Sequence, residues 1–262
     1  MGFNGHYDVV GEGDPVLCIP GFASGNWVFS RLLEPLVDRF RFILPDNRGM
    51  GRSPASAWGY CLEDLAADAL TLMNDLGYER FRVIGLSMGG FISQLLALEA
   101  PERVSSLVLM CSTSGGPEYR QSFPSLTEEQ VRAIYALDPL ERVQAALGEA
   151  LCPVLQSHYP DVYRYVVEKR VADPADPDQV MQQFFAVQRF MDQPLPLLRI
   201  TCPVLVMTAD QDRLVPRANA ERLLRDLPNA RLVELTGVDH LFFLEKSDET
   251  AAAIRQFFSE VG

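Results

Sequence analysis

The residues with the clearest chemical content are Gly85-Leu86-Ser87-Met88-Gly89-Gly90. A serine with glycines two places before and two places after it can sit on a tight, strained turn, because no side chain obstructs the backbone there. The apolar residues Phe81, Val83 and Ile84 precede the turn and a helical pattern follows it, so it joins a buried strand to a helix. Amides at the start of that helix would face negative charge developing beside the hydroxyl. Ser87 is therefore the candidate nucleophile.

A serine nucleophile needs a base, and the chain offers three histidines, His6, His158 and His240. His6 lies in the N-terminal segment and His158 precedes Tyr159-Pro160 in a stretch without strand-like runs. His240 follows an apolar run in Leu235-Thr236-Gly237-Val238-Asp239-His240, where loops at strand ends gather catalytic groups. The order expected on such a sheet is serine, acid, histidine. Asp212 meets it from the loop after Val204-Thr208, with Asp210 as its rival, while Asp239 is too near along the chain to reach around the imidazole. Turn capping is the competing role for any loop aspartate. The expected oxyanion donors are the backbone amides of Met88 and of Phe22, the latter in the loop Pro20-Gly21-Phe22-Ala23-Ser24-Gly25.

These groups need a sheet to hold them. Short apolar runs at Val16-Pro20, Phe42-Pro45, Phe81-Gly85, Ser106-Cys111, Val204-Thr208 and Ala230-Leu235 alternate with amphipathic stretches. That alternation predicts an α/β fold with a mostly parallel central sheet and helices on both faces. Helices are expected over Cys61-Leu76, Met88-Ala100 and Asp248-Phe258. From about Ser114 to Arg199 the strand-like runs stop, and Thr127-Leu137, Pro139-Leu151, Asp161-Val171 and Gln179-Phe190 read as helices. The expected organisation is a core of residues 1–113 and 200–262 with an inserted helical lid over 114–199, entered through Gly115-Gly116-Pro117 and left through Pro194-Leu195-Pro196. Trp27, Phe184 and Phe185 are the expected substrate-binding residues; Tyr163, Tyr165 and Phe190 are further aromatic candidates, with packing inside the helices as the alternative for each.

Taken together, Pro20-Gly21-Phe22, Asp46-Asn47-Arg48-Gly49-Met50-Gly51-Arg52-Ser53, the Ser87 turn, Asp212 four residues before Pro216, and Gly237-Val238-Asp239-His240 resemble the α/β-hydrolase superfamily over nearly the whole chain. The Asp46–Ser53 segment and the Ser87 turn resemble its 3-oxoadipate enol-lactonase and carboxylesterase branch. Pro20 stands where such proteins usually have histidine. Serine at position 87 separates the chain from branches whose nucleophile is aspartate. Asp46, Arg48 and Ser53 are expected to brace loops by local hydrogen bonds.

Composition narrows the rest. With 48% hydrophobic and 22% charged residues the chain can bury an ordinary core. A formal net charge of −12 disfavours nucleic acid and anionic lipid as partners. No run is apolar enough to cross a bilayer, and Met1 to His6 lacks the pattern of a signal peptide, so a cytoplasmic location is expected. Cys18, Cys61, Cys111, Cys152 and Cys202 stand singly, without metal-ligand spacing, so buried thiols are expected and no metal or cofactor. Oligomeric state is left open. The expected reaction is hydrolysis of a small-molecule ester or lactone through an acyl-enzyme. The alternatives are the same triad acting as a carbon-carbon hydrolase, thioesterase or perhydrolase, or a ligand receptor with little turnover. The acidic composition and apolar lid favour neutral substrates. A preference for dicarboxylates would instead point to a lid arginine such as Arg120, Arg132 or Arg189.

Overall fold

The computed structural model describes residues 2–120, 126–148 and 152–262. Its described strands are β1 (Tyr7–Val10), β2 (Asp14–Ile19), β3 (Phe40–Pro45), β4 (Phe81–Leu86), β5 (Val104–Met110), β6 (Val204–Ala209) and β7 (Ala230–Leu235). They form one sheet in the order β1-β3-β2-β4-β5-β6-β7, with β1 antiparallel to β3 and every other pairing parallel. The central strands β4 and β6 are buried along their whole length, as expected where helices cover both faces. At the edges the apolar runs give out: β1 is mostly exposed and β7 half-buried, because each has one neighbouring strand.

The helices around the sheet are α1 (Leu62–Asp75), α2 (Met88–Glu99), α7 (Ala218–Asp226) and α8 (Ser247–Val261), and those between β5 and β6 are α3 (Glu128–Ala136), α4 (Pro139–Ala146), α5 (Pro160–Ala172) and α6 (Pro177–Met191). The spacing of Leu62, Leu65, Ala66, Ala69, Leu72 and Met73 buries one stripe of α1, as the sequence predicts. The end of the expected helix Pro139–Leu151 lies partly outside the described residues. Two elements escape the apolar-run reading. β1 is too short to show alternation, and α7 is so rich in charge that only a narrow stripe, including Ala220 and Leu223, is buried.

Between β5 and β6 the described residues form helices and no strand. The two ends of this insertion meet: Gly116 N–H donates to Met191 O at 3.1 Å, and a side chain at Gly115 would place its Cβ 2.3 Å from Gln193 O. Further anchorage comes from Phe190, which stacks on Phe91 of α2 with centroids 4.8 Å apart, a contact worth about 1 kcal/mol beyond burial. No helix among the described residues is long and apolar enough to cross a membrane.

Candidate active site

Ser87 occupies the corner between β4 and α2 with φ 52° and ψ −116°, a region that costs an L-residue on the order of 1–3 kcal/mol. Three hydrogen bonds hold it there. Ser87 N–H donates to Met110 O (2.9 Å), and Ser87 O accepts from Gly90 N–H (2.8 Å) and Ser112 Oγ (2.8 Å). The flanking glycines permit the crowding: a Cβ on Gly89 would stand 2.0 Å from Ile19 O, so the helix can approach the loop after β2 only without one. Met88 opens α2, where a backbone N–H has no acceptor within the helix.

Asp212 and His240 come from the loops after β6 and β7. The Asp212 side chain is fully buried; its Oδ1 accepts from Leu214 N–H and Val215 N–H, both at 2.8 Å, and its Oδ2 from His240 Nδ1 at 2.9 Å. With Nδ1 donating to that carboxylate, Nε2 is the nitrogen left to exchange a proton. Burial works against a charged imidazole, but the Asp212 carboxylate outweighs it and holds His240 well above the ordinary histidine value of 6.5. Asp210 points elsewhere: its Oδ1 accepts Gly237 N–H at 2.7 Å and so braces the loop that carries His240.

Ser87 and His240 line one cavity of about 270 Å³ together with Gly21, Phe22 and Trp27. The loop after β2 is pinned from the insertion, since Ala23, with φ 50°, donates its N–H to Gln183 Oε1 at 2.8 Å. The Ala23 amide is thereby committed, which leaves Phe22 as the loop's expected oxyanion donor beside Met88. Phe184 and Phe185, expected at the substrate, stand apart from the cavity. Phe184 packs with Ala23, Met50, Val131, Val180 and Met181 in a small cluster, and Phe185, next along the helix, faces solvent at 47% exposure. Of the other aromatic candidates, Phe190 is core and Tyr165 packs edge-on against Trp27 while hydrogen-bonding Ser30 Oγ at 2.7 Å.

Asp46, Arg48 and Ser53 serve as braces. Asp46 accepts Asn26 N–H (2.6 Å) and Arg52 N–H (3.0 Å), Arg48 grips Asp68 through two bonds, and Ser53 Oγ donates to Asp46 O (2.7 Å).

Several residues around the site carry no sequence motif. Cys111, at the end of β5 with φ 40°, buries its thiol within hydrogen-bonding reach of His240, and that burial pushes the thiol up. Glu245 accepts Asp239 N–H at 3.1 Å, and each residue also buries a carboxyl oxygen without a hydrogen-bond partner among the described residues. Burial and the neighbouring Asp239 push Glu245 up to about 8, which favours its neutral form at neutral pH. Arg142 and Arg170 line the cavity, whereas Arg120, Arg132 and Arg189 do not. Arg120 pairs with Asp192 and Arg132 with Glu128. Nothing short of the folded chain reveals which arginines turn inward. Among the described residues no group of three histidine, cysteine, aspartate or glutamate side chains forms a metal cage.

The alpha/beta hydrolase fold family matches residues 14–247. A Mycobacterium tuberculosis (strain H37Rv) protein named "Putative non-heme bromoperoxidase BpoC" is 31% identical over 97% of this chain and 97% of its own. A 2-hydroxy-6-oxononadienedioate/2-hydroxy-6-oxononatrienedioate hydrolase of Dechloromonas aromatica is 27% identical over 97% of this chain and 90% of its own. Among solved structures, a thermophilic esterase from Thermogutta terrifontis superposes with a TM-score of 0.84 at 25% identity, covering 98% of this chain and 93% of that one. With a seven-stranded sheet of matching topology, the chain belongs to the α/β-hydrolase family.

Proposed function

We propose that the protein hydrolyses carboxylic esters or lactones through Ser87, His240 and Asp212. One observation carries the reading: Ser87, held in a left-handed backbone between strand and helix, shares a cavity with a histidine whose far nitrogen is tied to a buried carboxylate 2.9 Å away. His240 Nε2 takes the Ser87 proton as Oγ bonds to the substrate carbonyl carbon. The amides of Phe22 and Met88 hold the resulting oxyanion. Collapse breaks the bond to the alcohol, which leaves with the proton from His240. Water then gives a proton to His240 and its oxygen attacks the acyl carbon; the acid departs and Ser87 recovers its proton. Asp212 keeps the imidazole in the required tautomer and stabilises its positive form. The helical insertion, residues 114–199, is the lid that closes the cavity and selects the substrate.

The Dechloromonas aromatica relative favours one second reading, hydrolysis of a carbon-carbon bond by the same residues. A panel of short esters, lactones, thioesters and vinylogous diketones separates the two. A fluorophosphonate should label Ser87, with the adduct located by peptide mass spectrometry, and a short p-nitrophenyl ester should be turned over. Absence of both the label and the turnover rejects the proposal.

A further inference from the structure

The cavity beside Ser87 contains two guanidinium groups for which acyl transfer has no use. Arg142 on α4 and Arg170 on α5 both line it. The terminal nitrogens of Arg142 donate to backbone carbonyls, Nη1 to Ala175 O at 3.0 Å and Nη2 to Tyr135 O and Leu137 O at 3.1 and 3.2 Å. Nη2 of Arg170 donates to Ser24 Oγ at 3.2 Å, in the loop that carries the proposed oxyanion donor. In both residues Nε is buried and has no hydrogen-bond partner among the described residues.

Neither cation is within ion-pair distance of a carboxylate among the described residues. Asp138 acts on Arg142 from an exposed helix cap, and Asp173, the one carboxylate lining the cavity among the described residues, is exposed near Gly25. Tyr135 also lines the cavity, with the Arg142 Cζ 4.7 Å from its ring centroid, and both cations act on its hydroxyl. The remaining wall is largely apolar, including Val131, Ile134, Val143, Leu147 and Val166. Two guanidinium groups thus line one largely apolar space with no carboxylate of the described residues paired to them. A bound anion would balance that charge through their terminal nitrogens, and in a chain of net charge −12 this is a local reversal of sign.

Resting on the acyl-transfer reading above, we infer that the preferred substrate carries a carboxylate on its acyl portion, separated from the scissile carbonyl by an apolar segment and held by Arg170 and Arg142. The acyl portion is the part that stays bonded to Ser87 through both half-reactions, so contacts to it act on each. This replaces the neutral substrate expected from composition: the surface is acidic, but the charge facing the site is positive.

The test compares p-nitrophenyl esters of equal acyl length, one ending in methyl and one in carboxylate, as in the pentanoate and the hemiglutarate. The carboxylate-ended ester should have at least tenfold higher kcat/KM. Arg170→Met should cut that preference at least tenfold, while Arg170→Lys, keeping the charge without the planar fork, should retain part of it. Free glutarate should raise the melting temperature of the wild type and lose that effect in Arg170→Met. A wild-type preference at or below one, or a preference unchanged in a cooperatively folded Arg170→Met, overturns the inference. Should neither ester turn over, the acyl-transfer reading fails, and the glutarate shift still decides this one: its presence in the wild type and loss in the variant uphold the anion site, its absence removes it.

Discussion

The loops at the carboxyl ends of the strands and the helical insertion above them differ in how their polar groups are satisfied. In the strand-end loops the proposed reactive groups are fixed from several sides: the Ser87 backbone by Met110, Gly90 and Ser112, the Asp212 carboxylate by the Leu214 and Val215 amides, and the His240 loop by Asp210. The insertion caps its own helices with Thr127, Asp138 and Asp176, yet brings Arg142 and Arg170 to the cavity without a carboxylate partner among the described residues. Groups fixed around Ser87 and Asp212 are organised in advance for one chemical step. In the proposed reaction the strand-end loops do the chemistry, and the arginines of the helical segment choose the substrate.

The contrast is most sharply tested at Ser87. Ser87→Ala should lower turnover on the order of 10⁶-fold with the fold intact, leaving only the oxyanion donors at work. Because φ is 52° there, Ser87→Gly should be equally inactive yet more stable than Ser87→Ala by about 1 kcal/mol, read from chemical denaturation. Equal stability of the two variants would mean that the corner stores no strain.

Next comes Asp212. Asn at this position presents a donor where His240 needs an acceptor and should cost on the order of 10⁴-fold in kcat. Asp210→Asn keeps an oxygen for Gly237 N–H and should cost far less; the reverse order would transfer the acid's role to Asp210. The same pair sets the pH profile. Catalysis needs the neutral imidazole, and Asp212 holds His240 up, so the acid limb of kcat/KM should lie above 6.5 and move down in Asp212→Asn. A limb that ignores the substitution would break the link between carboxylate and base.

Gln183 is one point at which the two regions touch. Gln183→Leu leaves the buried Ala23 N–H without an acceptor, a penalty of about 1–3 kcal/mol. We expect about a tenfold fall in kcat with a smaller change in KM, because the loop carrying Phe22 loses its register; a pure loss of stability with unchanged kcat would make Gln183 a packing residue only.

The smallest effect on activity is expected from Glu245. Its carboxyl is pushed up to about 8 in the fold against an ordinary 4.5, so the stability it contributes is fully present below about 4.5 and is lost as pH rises through about 8. Glu245→Gln should flatten the decline of melting temperature between pH 5 and pH 9, by roughly a few kcal/mol of stability at the alkaline end. A decline as steep as in the wild type would mean that the fold does not hold the Glu245 carboxyl up.

That Ser87 sits on a strand-to-helix corner and that His240 and Asp212 lie in loops after strands was legible, because each depends on chain-local facts: glycine spacing around a turn, scarcity of histidine, and position after an apolar run. Six of the seven described strands were expected from their apolar residues, most plainly the central ones, since a strand covered on both faces must be apolar throughout. β1 and α7 were not legible, because an edge strand and a mostly solvated helix place few constraints on residue type. The aromatic residues of the insertion mislead when read locally. Phe184 and Phe185 are adjacent, and a helix turns them about 100° apart, so one enters a core cluster and the other meets solvent.

What the sequence determined by itself is therefore the sheet, the strained serine and the order of the groups along the chain, all properties of backbone geometry and local spacing. Only the tertiary structure decided that Asp210 braces a loop while Asp212 meets His240, that Gln183 reaches across 160 residues to Ala23, and that Arg142 and Arg170 are the arginines at the cavity. The reason is physical. A side chain's partner is set by the rotation and packing of whole helices and loops, which depend on contacts between segments far apart in the chain, and residue type alone carries no record of direction.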